Sequence, residues 1–186
     1  MNKAIFLDRD GTLNVEVDYL HEPDKLRLID GVPEALNIFK DLGYKLIVIS
    51  NQSGIGRGYF GQEDVDNVNS CMNEMLERYN VQIDAFYYCP HIESDNCNCR
   101  KPKTGLYERA VADWNIDVSL SYMAGDKESD VLAARNIGCG YGLLLCGHDI
   151  PESVKERYSG HIYKDLMDFA MNVREKSNLC HLKILW

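Results

Sequence analysis

The sequence predicts an α/β fold: a doubly wound, Rossmann-like parallel sheet with helices on both faces, an inserted cysteine-rich loop and no large cap domain. Three observations predict it. Short apolar runs alternate with segments of helical periodicity, several of those runs end in an acidic or polar residue, and 186 residues leave no length for a large separate cap. Strands alternating with helices imply right-handed crossovers and a parallel sheet covered on both faces.

Residues 3 to 8, Lys-Ala-Ile-Phe-Leu-Asp, read as a buried strand that reaches the carboxyl edge of its sheet in an acid. From 31 to 42, Val32, Leu36, Phe39 and Leu42 recur at helical spacing, with Pro33 near the start and Gly43 as the stop. The alternation continues with a strand at 46–49, a helix at 62–79 and a strand at 85–88. After a cysteine-rich loop come a helix at 104–114, a strand at 120–124, a helix at 128–137 and a strand at 142–146. The remainder reads as helical, with a short strand near 161–163. The tail from 179 to 186 matches no pattern, and no repeat recurs at a fixed period.

A content of 45% hydrophobic and 26% charged residues is ordinary for a globular protein, and the chain reads as one domain over residues 1–186 that needs no disulfides to hold its core. Twenty basic against 29 acidic residues give a net charge of −9, which argues against a nucleic-acid partner, since tracking phosphates needs clustered positive charge. The amino end offers only Ala4 to Leu7 before Asp8 and Arg9, too short for an export signal. No apolar run approaches the ~18 residues of a membrane span. A cytoplasmic monomer without a membrane partner is therefore expected.

Four predicted strand ends carry distinctive chemistry: Asp8 and Asp10, then Ser50 and Asn51, then Arg100-Lys101-Pro102 beyond the cysteine-rich loop, and Gly125-Asp126. Ligands of parallel sheets bind outside the carboxyl ends of the strands, so these groups are expected to converge. Asp8 and Asp10 are carboxylates one residue apart, followed by Gly11 for a tight turn. A hard cation would relieve their repulsion, and Mg²⁺ takes one or two carboxylates together with waters and a substrate phosphate, so Asp126 could complete such a site. A calcium loop does not fit, because glycine stands fourth rather than sixth from Asp8 and Tyr19 occupies the twelfth position in place of glutamate.

Asp8-Arg9-Asp10-Gly11-Thr12, Ser50-Asn51-Gln52, Arg100-Lys101-Pro102 and Gly125-Asp126-Lys127-Glu128-Ser129-Asp130 resemble the four ordered motifs of the haloacid-dehalogenase superfamily phosphatases. Cys89-Pro90-His91 through Cys97-Asn98-Cys99 is similar to the zinc loop of its heptose-bisphosphate phosphatase and histidinol-phosphatase branch. The resemblance implies that Asp8 attacks the phosphoryl group and forms an aspartyl-phosphate, and that Asp10 protonates the leaving oxygen and then activates water. It implies that Ser50, the Asn51 backbone and Lys101 hold the transferred oxygens. It further implies that Mg²⁺ is held by the Asp8 and Asp126 side chains and the Asp10 main-chain carbonyl. Asp130 reads as a helix-dipole residue of the first turn, at most one step removed from the metal, and Lys127 as a solvated loop residue.

The pattern C-x-H-x5-C-x-C supplies three thiolates and an imidazole from Cys89, His91, Cys97 and Cys99, the donor set of a closed structural Zn²⁺ site. The loop, at about 89–103, would present Arg100 and Lys101 from a rigid base. Cys71, Cys139, Cys146 and Cys180 fit no such pattern and read as small buried apolar residues. A zinc-knuckle RNA module is the rival from another class, with the wrong spacing and too little positive charge. A non-enzymatic phospho-receiver would not need Asp10 as a proton donor. Gly56-Arg57-Gly58-Tyr59-Phe60-Gly61 fits G-x-G-x-x-G but sits too far from its strand to be a dinucleotide fingerprint, and no P-loop sequence is present.

Within the branch, the resemblance implies that Glu16, Asp18, Tyr19 and Arg100 contact a small phosphorylated sugar. The run from Asn51 to Gly58 is similar to the heptose-bisphosphate enzymes, and no dehydratase domain accompanies the chain. The expectation is a Mg²⁺-dependent phosphatase that removes the 7-phosphate of a heptose 1,7-bisphosphate, with histidinol phosphate as the alternative substrate.

Overall fold

Six strands hydrogen-bond into one parallel sheet in the order β3-β2-β1-β4-β5-β6: β1 (Lys3–Leu7), β2 (Tyr44–Asn51), β3 (Ala85–Cys89), β4 (Tyr122–Gly125), β5 (Gly140–Leu144) and β6 (Ile162–Tyr163). The structure, a computed structural model, describes residues 1–146 and 150–183, with the side chains of 180–183 outside the description. Helices α1 (Val32–Asp41), α2 (Ser53–Gly56), α3 (Gln62–Glu77), α4 (Gly105–Trp114), α5 (Glu128–Ile137), α6 (Glu152–Arg157) and α7 (Leu166–Lys183) complete it. None of the described helices is long and apolar enough to cross a membrane.

The period-2 alternation of strand side chains builds two cores. Ile5, Leu7, Leu46 and Val48 face one side, where α1, α3 and α7 bring Phe39, Met72 and Phe169. Ala4, Phe6, Ile47 and Ile49 face the other, against Leu106 and Tyr107 of α4 and Ala133 and Ala134 of α5. Helices thus cover both faces, which is why the strands read as continuous apolar runs.

Several boundaries differ from the sequence pattern. β2 runs to Asn51, so Ser50 and Asn51 are its last residues rather than a following loop. β4 begins at Tyr122 because Val118–Leu120 forms a 3-10 turn whose Ser119 N–H is capped by the Asp117 carboxylate. β5 starts two residues earlier than predicted. Its Gly140 and Gly142 admit the rings of Tyr122 and Phe169, which a Cβ at those positions would meet at 2.5 and 2.6 Å. The helix predicted at 62–79 ends at Glu77, and the four-residue α2 was not predicted. Cys139 is buried as expected, but Cys71 and Cys146 are only half-buried. The expectation for Cys180 lies outside the described side chains, and of the 179–186 tail only the backbone of α7 as far as Lys183, with the exposed Leu179, is described.

Candidate active site

The sheet order sets β3, β2, β1 and β4 side by side, and the segments leaving their carboxyl ends surround a cleft of about 680 Å³. Asp10, Asn51, Arg100 and Lys101 line it, together with Glu16, Asp18 and Tyr19 from the segment after β1. Asp8 and Ser50 are buried at their strand ends, and Asp126 follows β4 directly.

Asp8 is fixed to the neighbouring strand by its N–H, which donates to the Ala124 carbonyl at 3.0 Å. Its Oδ1 lies 2.8 Å from Lys101 Nζ. The same ammonium lies 2.7 Å from Asp130 Oδ1 and donates to the Ile49 carbonyl at 2.6 Å. Burial works against the Lys101 charge, yet Asp130 and Asp8 outweigh it and hold its pKa above the ordinary lysine value. The Asn51 side chain accepts from the Lys101 N–H at 3.0 Å and donates to the Lys101 carbonyl at 3.2 Å, so the loop carrying this lysine is clamped to β2.

Asp8, Asp126 and Asp130 offer carboxylate oxygens that all lie within 4.8 Å of one another. Gly11 makes the close approach possible. Its φ is +81°, and a Cβ there would sit 2.5 Å from Asp126 Oδ2. Thr12 Oγ1 donates to Asp126 Oδ1 at 3.4 Å. Burial and then the charge of Asp8 push Asp126 up to about 7. Burial pushes Asp130 up to about 6, opposed by Lys101. Lys101 and, on Asp126, the nearby Lys127 offset part of this charge, but three gathered carboxylates remain a donor set that fits a hard divalent cation.

The Asp10 side chain stands apart from this cluster. Its carboxylate accepts from Arg9 Nη2 at 3.1 Å, Asn14 Nδ2 at 3.1 Å and Gln52 Nε2 at 2.9 Å. Arg9 is fully buried and also donates to Asn69 Oδ1 and the Leu20 carbonyl. A carboxylate so placed, in the cleft wall, can pass a proton to or from a group bound in the cleft.

On the rim, Glu16 pairs with Lys127 at 3.0 Å, and Arg100 lies 3.3 Å from Glu93. Beside them Cys89, His91, Cys97 and Cys99 converge. Sγ of Cys99 lies 3.2 Å from that of Cys89 and 3.3 Å from that of Cys97, Cys89 and Cys97 are 3.6 Å apart, and His91 Nδ1 is 3.2 Å from Cys99. These edges are close to those of a tetrahedron around an ion bound at ~2.3 Å, so the four donors fit a closed Zn²⁺ site.

Of the predicted site residues, Asp10, Glu16, Asp18, Tyr19, Asn51, Cys97, Arg100 and Lys101 line the cleft, Asp8, Ser50 and Asp126 stand at the ends of β1, β2 and β4, and Cys89, His91 and Cys99 meet Cys97 in the loop. Sequence reasoning missed the partners of the site acids: Arg9, Asn14 and Gln52 on Asp10, Thr12 on Asp126 and Asp130 on Lys101. Asp130 does cap its helix, accepting from the Lys127 N–H at 3.1 Å, but it is buried and ion-paired rather than a bystander near the dipole. Lys127 is not free in solvent but bridges the rim to Glu16.

Comparison with known proteins follows the same lines. Residues 3–174 match the family model described as polynucleotide kinase 3 phosphatase. The D-glycero-beta-D-manno-heptose-1,7-bisphosphate 7-phosphatase of Pasteurella multocida is 45% identical over 181 residues, covering 94% of this chain and 98% of that protein. The protein of the same name from Haemophilus ducreyi is 46% identical over 150 residues, 77% of this chain and 82% of the relative. Among solved structures, D,D-heptose 1,7-bisphosphate phosphatase from B. bronchiseptica, complexed with magnesium and phosphate, superposes with a TM-score of 0.81 at 27% identity, covering 94% of this chain and 99% of that one.

Proposed function

The chain belongs to the haloacid-dehalogenase phosphatases, in the branch of the heptose-bisphosphate enzymes, and from that premise we propose that it removes the 7-phosphate of D-glycero-D-manno-heptose 1,7-bisphosphate. The observation that carries the substrate is the 45% identity to a heptose 7-phosphatase across 94% of the chain. The chemistry rests on the cleft.

In this reading a carboxylate oxygen of Asp8 attacks phosphorus as the bond to the sugar oxygen breaks. Asp10 delivers its proton to that departing oxygen. The phosphoryl group is left on Asp8, which splits a hard hydrolysis into two displacements. Water then attacks phosphorus, Asp10 takes its proton, and inorganic phosphate departs with Asp8 restored. Lys101, Ser50 and the Asn51 main chain offset charge on the transferred oxygens, and Lys101 is held for this by Asp130, Ile49 and Asn51. Arg9, Asn14 and Gln52 fix the Asp10 carboxyl where it can serve both half-reactions.

The Asp8 and Asp126 side chains and the Asp10 carbonyl would hold Mg²⁺, which when bound supplies the positive charge that lets an anionic nucleophile meet an anionic phosphate. Cys89, His91, Cys97 and Cys99 would hold a structural Zn²⁺. A cytoplasmic monomer acting on a small phosphorylated sugar, without nucleic-acid or membrane partners, belongs to the same reading, supported by the net charge of −9.

The test is phosphate release with Mg²⁺ from heptose 1,7-bisphosphate and from histidinol phosphate, compared by kcat/KM. The expected preference is for the heptose ester; a higher kcat/KM for histidinol phosphate would overturn it.

A further inference from the structure

The phosphate-handling groups are buried or sit in the cleft wall, so they recognise little beyond a phosphate; recognition of the rest of the substrate falls to the segments at the mouth. Two of these segments are joined by aromatic rings that the chemistry above does not use. Tyr19, after β1, lines the cleft, and its ring meets the Tyr59 ring edge-on, with centroids 4.8 Å apart and planes at 84°. Two residues on, His21 stacks on Phe60 at 5.0 Å, and its Nδ1 lies 2.7 Å from the Tyr19 carbonyl. Phe60 in turn occupies the space above Gly54, where a Cβ would come within 2.2 Å of its ring; Gly54 itself lines the cleft.

Tyr19 has φ +54°, in the left-handed region that residues with a side chain rarely adopt. Such a conformation persists only where its surroundings over-determine it, and it is concentrated at ligand sites. Here the surroundings are the rings of the turn between α2 and α3. Tyr59 is 58% exposed and lies outside the hydrophobic cores, so its role in core packing is slight.

We propose that Tyr59 is a positioning residue for substrate selection, its ring packed at right angles against that of the strained Tyr19 so that the Tyr19 ring stays in the wall that receives the part of the substrate remote from the reacting phosphate. The inference rests on the phosphatase reading above and names a specificity residue for it. Tyr59 reaches neither Asp8, Asp10 nor Lys101 in any described contact, so its effect belongs in KM for a full-sized substrate and not in the chemical step.

The test uses the full chain with Mg²⁺ and two variants, Tyr59→Ala and Tyr59→Phe. Heptose 1,7-bisphosphate is set beside p-nitrophenyl phosphate, a small ester whose leaving group carries no sugar. A T-shaped ring pair of this kind corresponds to a change of about two- to tenfold. Tyr59→Ala is expected to raise KM for the sugar bisphosphate by about three- to tenfold with kcat unchanged, and to leave kcat/KM for the small ester as in the parent. Tyr59→Phe, which keeps the ring edge, is expected to restore the parent KM. An unchanged KM in Tyr59→Ala, an equal loss on both esters, or a Phe variant as impaired as the Ala variant would each overturn the inference. Failure of the substrate reading is distinguished by the parent enzyme itself: should it prefer histidinol phosphate, the same KM ratio is read on that ester and still decides the role of Tyr59.

Discussion

The carboxylate cluster and the cysteine-histidine loop come within two residues of each other, at Lys101 and Cys99, yet they are ordered by opposite means. Asp8 and Asp126 are carried on the ends of adjacent parallel strands and Asp130 on the first turn of α5, and each has a protein partner: Lys101 for Asp8 and Asp130, Thr12 for Asp126. The loop between β3 and α4 has no regular structure except the 3-10 turn Glu93–Asp95, and its four donor side chains lie within hydrogen-bonding distance of one another. The sheet organises the first centre; the donors of the second fit an ion, which would hold them together. Lys101 belongs to both, because it arrives on the loop but is tied by Asn51 and Ile49 to β2.

The largest expected effect comes from breaking the carboxylate centre chemically while leaving it intact sterically. Asp8→Asn replaces the proposed carboxylate nucleophile by an amide, so phosphate release is expected to fall by at least about 10³-fold, the scale of loss when a reacting group is deleted. Stability is expected to hold, because Lys101 keeps Asp130 and the cluster sheds one of three like charges. Thermal melts without Mg²⁺ check this, and a Tm well below the parent would contradict the view that the sheet, and not the nucleophile, orders the site.

Breaking the loop should do the reverse, harming order more than chemistry. Cys97→Ser, or removal of zinc by a chelator followed by restoration of Mg²⁺, is expected to lower kcat by about tenfold, near the lower end of the 10–100-fold seen when metal-supporting groups are lost. The loss is bounded because the Lys101 ammonium retains Asp8, Asp130 and Ile49, none of which lies on the loop. Zinc content measured alongside kcat checks the coupling; full activity in zinc-free protein would show that the loop does not position Lys101.

The same contrast explains what could be read from the sequence. The meeting of four strand ends was legible because parallel topology alone dictates it once the β and α periods are recognised. The cysteine-histidine group was legible because all four residues fall within eleven positions. The partners of Asp10 and Lys101 were not, since they depend on tertiary approach. Arg9 stands between two aspartates and looks like a surface charge, but its burial depends on Asn69, sixty residues away. Asp130 fits a helix-dipole pattern perfectly well until Lys101, twenty-nine residues earlier, is set against it. Short glycine-bearing elements also escaped: α2 is Ser-Gly-Ile-Gly and shows no apolar period, and β5 opens on glycines that make room for neighbouring rings.

The smallest effect concerns pH and separates the two centres without any mutation. Asp126 is raised from 3.8 to about 7 and Asp130 to about 6, both chiefly by burial. An acid whose folded pKa lies above its unfolded value binds more protons in the folded state. Its contribution to stability is therefore complete below the unfolded pKa and is lost as pH climbs through the folded one. Without divalent cations the protein is expected to lose stability as pH rises from 4 to 7. Mg²⁺ bound at Asp8 and Asp126 would favour their charged forms and flatten this slope. Denaturant midpoints across that range, with and without Mg²⁺ and with the loop's zinc left in place, measure it. A slope that Mg²⁺ does not change would mean that no divalent cation neutralises Asp126, and that the sheet edge needs none to carry its charge.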